Sequence, residues 1–230
     1  MLDYFRYSIC IIFALFSFSF EVRSASFNCE EAITEAEIRI CESPELSNLD
    51  EKIASSFFSI NTEGRYSEGI ISAQREWVAD RRDLSGYDFE LQLDFLNIAN
   101  AANSCSIGEN TFADCGLEIQ NEFDNCMMKE NYTTLVMNRC GSAYLSVLKI
   151  IDEYETDLWR KLNSEDRETL ELFDVAYSIW KEFVIADCEW QYSEFRFGTI
   201  RGQIWLGCQI GHYKTRIDEI NGMNIDRVAR

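Results

Sequence analysis

The side chains best suited to covalent chemistry in this sequence are its nine cysteines, at positions 10, 29, 41, 105, 115, 126, 140, 188 and 208. Zinc binding or thiol exchange would favour a C-x2-C pair, and none of the nine shows that spacing. The only histidine, His212, does not make up a mixed Cys/His metal set, so neither a metal nor another cofactor is expected. Cys10 lies early in an apolar leader. The other eight, Cys29, Cys41, Cys105, Cys115, Cys126, Cys140, Cys188 and Cys208, are an even set, as disulfides in an exported chain require. The most local pairing joins Cys29 to Cys41, Cys105 to Cys115, Cys126 to Cys140 and Cys188 to Cys208, although four cysteines in each half allow three pairings.

Carboxylates are the second candidate group. Asp152-Glu153-x-Glu155-x-Asp157, Glu165-Asp166 and Asp187-x-Glu189 contain the residue types of a glycosidase, but that chemistry needs two opposed carboxyls at a set separation with different pKa values. A solvated acidic face explains the same runs. His212 has no nucleophile elbow near it, and neither a glycine-rich phosphate loop nor a calcium-loop pattern occurs. No catalytic residue is therefore expected.

The elements that must carry these side chains begin after residue 24. Ile9 to Phe20 is an apolar run preceded by Arg6 and followed by Val22-Arg23-Ser24, the layout of a secretory signal peptide over residues 1–24. No later stretch reaches the length of a membrane span, so no stable membrane insertion is expected after cleavage. The 230 residues hold 21 Lys+Arg against 40 Asp+Glu, a formal charge of −19. The leader holds two acids and two bases, so all of that charge belongs to the remainder. Such acidity argues against nucleic-acid binding. With 47% hydrophobic residues the chain should fold, and with one proline and 11 glycines it should not be turn-rich all-β.

Helical signals recur along the chain. Thr34-x2-Glu37 is a capping box, and Ser43-Pro44 opens a second helix with Leu46, Leu49, Ile53, Phe57 and Ile60 on one face. Ser67 opens a third, with Ile70, Ala73, Trp77, Arg81 and Leu84 sharing a face, and Phe89, Leu93 and Leu96 continue helical spacing toward Asn103. Residues 103–114 suggest a cross-linked loop. Ile119 and Phe123 suggest a short helix, and a long one follows from Thr134 to about Lys161. Ser164 is the expected cap of the next, whose stripe is Leu170, Phe173, Tyr177, Trp180 and Val184. Gly198, Gly202 and Gly207 point to an irregular connection before a closing helix from Cys208 to Ile220. Four cysteines and one mid-helix tryptophan in each half suggest a duplication, with modules at 25–123 and 124–230. The expected fold is all-α, two small disulfide-stabilised helical bundles in tandem.

The run Cys29-x11-Cys41-x2-Pro44-x-Leu46-x2-Leu49-Asp50, followed by Gln74-x2-Trp77-x3-Arg81-x-Asp83, resembles the module of the LprI-type lysozyme inhibitor family. In the second half Met137-Asn138-x-Cys140, Trp180-x7-Cys188 and Cys208-x7-Arg216-Ile217-x2-Ile220 resemble the same module. Three positions depart from it: Ser85 stands where the family has a cysteine, and Phe123 and Val184 stand where it has arginines. The resemblance implies an exported, all-helical, disulfide-linked protein of the periplasm or secreted space that binds a lysozyme or another peptidoglycan-active enzyme.

Two aromatic groups are candidates for partner binding. Trp77 and Arg81 lie one turn apart and suit a cation–π or hot-spot surface, or else a core tryptophan beside an interhelical ion pair. Trp190, Tyr192, Phe195 and Trp205, with Phe197, cluster around Cys188 and Cys208, either as a binding face or as packing that closes the loop onto the bundle. A charge of −19 would steer the protein toward a cationic partner, such as a cell-wall lytic enzyme or toxin. The expected function is thus neutralisation of such an enzyme, with immunity against a cell-wall toxin as a narrower form. A non-catalytic scaffold in envelope assembly is the alternative.

Overall fold

The computed structural model describes residues 25–80, 85–104, 112–129, 133–195 and 197–228, leaving aside the side chains of residues 80 and 112–115. The expected signal peptide, Arg81 and Cys105 lie outside these bounds. Among the described residues the protein is all-α. A 3-10 turn at Cys29–Glu31 precedes α1 (Glu35–Glu42), α2 (Pro44–Phe58), α3 (Ser67–Asp80), α4 (Gly86–Asn103), α5 (Phe112–Met128), α6 (Thr134–Leu162), α7 (Arg167–Glu194) and α8 (Arg201–Val228).

Local chemistry sets most of the helix starts. The Thr34 hydroxyl accepts from Glu37 N, while the Glu37 carboxylate accepts from Thr34 N at 2.9 Å, closing the capping box. Ser43 caps α2 with Pro44 at the first helical position, where a missing N–H leaves no bond unmade. The cap of α7 is Asp166, which accepts from Thr169 N at 3.0 Å, and not the expected Ser164. Two further expectations are corrected. The expected loop 103–114 gives way to helix at Phe112, and the closing helix starts seven residues before Cys208, at Arg201. Gly202 and Gly207 are therefore helical. At Gly202 an added Cβ would stand 3.2 Å from Asn138 Oδ1, so this glycine lets α8 pass close to α6.

Helix α6 is the axis of the fold. Val136, Cys140, Ala143, Tyr144, Val147, Leu148 and Ile151 are buried along one face at steps of one, three and four, and α4, α5 and α8 pack around them. One core includes Ile40, Ile53, Ile70, Phe89, Leu96 and Ile98 from the first half and Tyr144, Leu148, Ile151 and Ile217 from the second. The boundary expected between residues 123 and 124 falls inside α5, where Phe123 stacks on Tyr144 with ring centroids 4.7 Å apart. The halves thus share apolar packing across that boundary.

Buried polar ties join the same elements. Glu155 of α6, fully buried, accepts from Tyr66 Oη at 3.0 Å and Asn224 Nδ2 at 3.0 Å, and pairs with Arg65 Nη2 at 2.7 Å. Arg139 of α6, also buried, donates from Nε to Asp94 at 2.8 Å and pairs with Glu90. Three disulfides follow the expected pairing: Cys29–Cys41, Cys126–Cys140 and Cys188–Cys208. The first ties the 3-10 turn to the last turn of α1, the second ties the end of α5 to the second turn of α6, and the third ties α7 to α8. Short loops of this kind each stabilise a fold by about 3 kcal/mol. The expected Cys105–Cys115 pair lies outside the described side chains.

Candidate partner-binding surface

Helix α7 lies at the edge of the bundle, packed mainly on α8. Its inward stripe is Phe173, Tyr177, Trp180, Val184 and Cys188, spaced four, three, four and four residues apart. Trp159, Phe173, Tyr177 and Trp180 stack in a row with successive centroids 4.0, 6.2 and 5.8 Å apart, and Tyr213 of α8 meets Trp180 edge-on. Arg216 lies 5.4–5.6 Å from the ring centroids of Phe173, Tyr177 and Trp180. Beneath the row, Tyr177 Oη donates to Asp152 at 2.6 Å. Burial raises the Asp152 carboxyl above the ordinary carboxylate range, against the lowering effects of the Tyr177 bond, Arg216 and Lys181. Burial also raises the Tyr213 phenol to about 12.

The outward stripe of the same helix is apolar too. Leu172, Val175, Ile179, Phe183 and Trp190 are 67, 58, 60, 53 and 61% exposed. Their steps of three, four, four and seven place them on one helical face, with exposed Ala186 filling the longest gap. An α-helix with apolar stripes on opposite sides ordinarily has a neighbour on each. Here the second stripe meets solvent. Exposed Glu168, Glu171, Glu182 and Glu189 border it, so the surface combines apolar area with a negative margin.

The expected aromatic cluster is only partly assembled. Trp190 belongs to the outward stripe. Tyr192 is half-buried under the Arg201 guanidinium, 5.3 Å from its ring centroid, which joins the end of α7 to the start of α8. Phe195 is exposed beyond the helix end, Phe197 is almost wholly exposed, and Trp205 is half-buried on α8. Tyr192 thus takes part in the helix–helix junction, while Trp190, Phe195 and Phe197 are exposed.

Trp77 has a different setting. Its Nε1 donates to Asp88 at 3.1 Å and its ring meets Phe89 edge-on with centroids 5.3 Å apart, so it seals α3 against α4. Its other side borders a cleft of about 410 Å³ between α2 and α3, lined in part by Phe57, Phe58, Gln74 and Val78. Phe58 is largely exposed at this cleft.

The carboxylates noted in the sequence do not converge on an open cavity. Glu155 is held by Arg65, Asp152 by Tyr177, and Asp157 forms an exposed ion pair with Arg160. Asp187 Oδ2 lies 2.8 Å from His212 Nε2, beside the Cys188–Cys208 bond. The sequence reasoning missed this pair because 25 residues separate its members. It also missed the outward stripe, although the Leu172, Val175, Ile179 and Phe183 spacing is legible once α7 is read for a second face.

No helix among the described residues is long and apolar enough to cross a membrane. Comparisons with protein-family models, curated proteins and solved structures find no match to this chain.

Proposed function

We propose that the protein is an exported, non-catalytic binding module that neutralises a cationic peptidoglycan-degrading enzyme, in the periplasm or outside the cell. The observation that carries this reading is the second apolar face of α7, bordered by acidic side chains on a chain of net charge −19. A lytic enzyme with a basic rim and an apolar patch would complement both properties. Long-range attraction would speed the encounter, while desolvation of Phe183, Ile179 and Trp190 would slow release. The spacing resemblance to LprI-type lysozyme inhibitors supports the same target class. Immunity against a cell-wall toxin is the narrower form of this function.

The deciding experiment captures partners from envelope extracts on immobilised mature protein and then titrates that protein into the lytic assay of each captured enzyme. Saturable inhibition that weakens in an Ile179→Asp/Phe183→Asp variant is the expected result. Capture without inhibition of any lytic enzyme would favour an assembly scaffold. The apolar cleft beside Phe58 and Trp77 supports that second reading, because it adds a separate surface on α2 and α3. Turnover of peptidoglycan by the protein itself would defeat both.

A further inference from the structure

The junction between α7 and α8 gathers four side chains whose chemistry exceeds that of a cross-link. Asp187 and Cys188 come from α7, and Cys208 and His212 stand one turn apart on α8. One potential ligand atom from each lies within 4.8 Å of all the others. We propose that reduction of the Cys188–Cys208 disulfide converts this junction into a tetrahedral Zn2+ site formed by two thiolates, His212 Nε2 and an Asp187 carboxylate oxygen.

Two sulfurs, one imidazole nitrogen and one carboxylate oxygen are a donor set that suits zinc. Ligands about 2.0–2.3 Å from such an ion stand roughly 3.3–3.8 Å from one another. Asp187 Oδ2 already lies 3.7 Å from Cys208 Sγ and 2.8 Å from His212 Nε2, so His212 needs only a small outward shift to admit the ion. Sulfurs bonded to each other stand too close to occupy two corners of a tetrahedron. Breaking their bond frees each to rotate about its own Cα–Cβ axis. The supporting contacts are also present. Gln191 Nε2 donates to Asp187 Oδ2 at 3.0 Å, and Phe183 meets the His212 ring edge-on with centroids 5.4 Å apart. Cys188 is fully buried, whereas the Asp187 and His212 side chains are 23 and 25% exposed, which leaves an entry route from one side.

The other cluster of this kind among the described residues, Asp94 with Cys126 and Cys140, lacks a fourth ligand. Its Asp94 is held at 2.8 Å by buried Arg139, whose positive charge opposes an incoming cation.

The chemistry balances with a dithiol as reductant. The Cys188–Cys208 bond accepts two electrons and two protons to give two thiols, while the dithiol closes to its own disulfide. Binding of Zn2+ then forms two Zn–S bonds and releases both thiol protons to solvent, with His212 coordinating as neutral imidazole. The ion would hold the two helices that the disulfide holds in the oxidised state.

Cobalt(II) provides a visible probe. Mature protein reduced with a phosphine under nitrogen is expected to take up one equivalent of Co2+, with thiolate-to-cobalt charge-transfer and tetrahedral ligand-field bands that Zn2+ abolishes. Oxidised protein should show neither band. His212→Ala and Asp187→Asn should each weaken Co2+ binding by roughly tenfold or more. Cys188→Ser should remove the bands, while Cys29→Ser/Cys41→Ser and Cys126→Ser/Cys140→Ser should keep them. Bands absent from the reduced protein, or unchanged in affinity by His212→Ala, would overturn the proposal. Circular dichroism covers the case in which reduction loosens the fold: Zn2+ should restore the helical signal, and failure to restore it counts against the site.

Discussion

Replacing Arg65 by methionine tests whether the two halves depend on one buried ion pair. Arg65 Nη2 lies 2.7 and 2.8 Å from the two Glu155 carboxylate oxygens, and the side chains are 15 and 0% exposed. The substitution leaves Glu155 a buried anion with Tyr66 Oη and Asn224 Nδ2 as its remaining donors. Breaking a buried pair from one side costs about 3–5 kcal/mol. The two surviving hydrogen bonds, each contributing about 1 kcal/mol, and the partial exposure of Arg65 place the expected loss near the lower limit, about 3 kcal/mol. For a chain of this length that corresponds to a fall of roughly 6–12 °C in Tm. The assay is urea unfolding at neutral pH, followed by tryptophan fluorescence and far-ultraviolet circular dichroism, with coincident midpoints expected because the core is continuous. An Arg65→Met/Glu155→Gln double variant should recover at least half of the loss, since a neutral amide can still accept from Tyr66 without a buried charge. A loss below about 1 kcal/mol in Arg65→Met, typical of surface pairs, would refute the reasoning. So would a double variant no more stable than the single.

Asp152→Asn should change how stability responds to pH. Burial raises the Asp152 pKa in the folded state, so its contribution to stability is greatest below the unfolded value, about 4, and falls as pH rises through the raised folded value. The variant should match the parent in urea midpoint near pH 4 and exceed it at pH 7; a less stable variant with an unaltered pH slope would contradict this. Gly64→Ala should destabilise by about 1–3 kcal/mol, because its Cβ would fall 2.3 Å from Asn103 Oδ1, which accepts from Tyr66 N. An unchanged thermal midpoint would show that Asn103 yields without losing that bond. Ile179→Asp should leave Tm nearly unaltered, as exposed substitutions do, yet speed dissociation from a captured lytic enzyme at least tenfold in surface plasmon resonance. Raising salt should mainly slow association, and an unaltered association rate would remove electrostatic steering. N-terminal sequencing of protein recovered from the envelope should begin at Ala25, and an uncleaved leader would refute export by this route.

Much of the fold is legible in the sequence because its causes are local. The Thr34–Glu37 capping box and the Ser43-Pro44 helix start involve neighbouring residues, and the three described disulfides join cysteines 12, 14 and 20 residues apart. Apolar steps of three and four mark α2, α6 and the inward side of α7 for the same reason, since helical periodicity carries its own geometry. Where local preference and packing disagree, packing prevails. Gly202 suggests a break, yet it lies inside α8 because its missing side chain admits Asn138 of α6. Contacts across long intervals follow no local rule. Arg65 meets Glu155 across 90 residues, and Asp187 meets His212 across 25, only because helices pack in one particular arrangement. The exposed stripe of α7 is written in Leu172, Val175, Ile179 and Phe183, but sequence alone does not say which of two apolar faces is buried. Tertiary packing decides that by placing α8 and the Trp159 ring against Phe173 and Tyr177, leaving the opposite face to water.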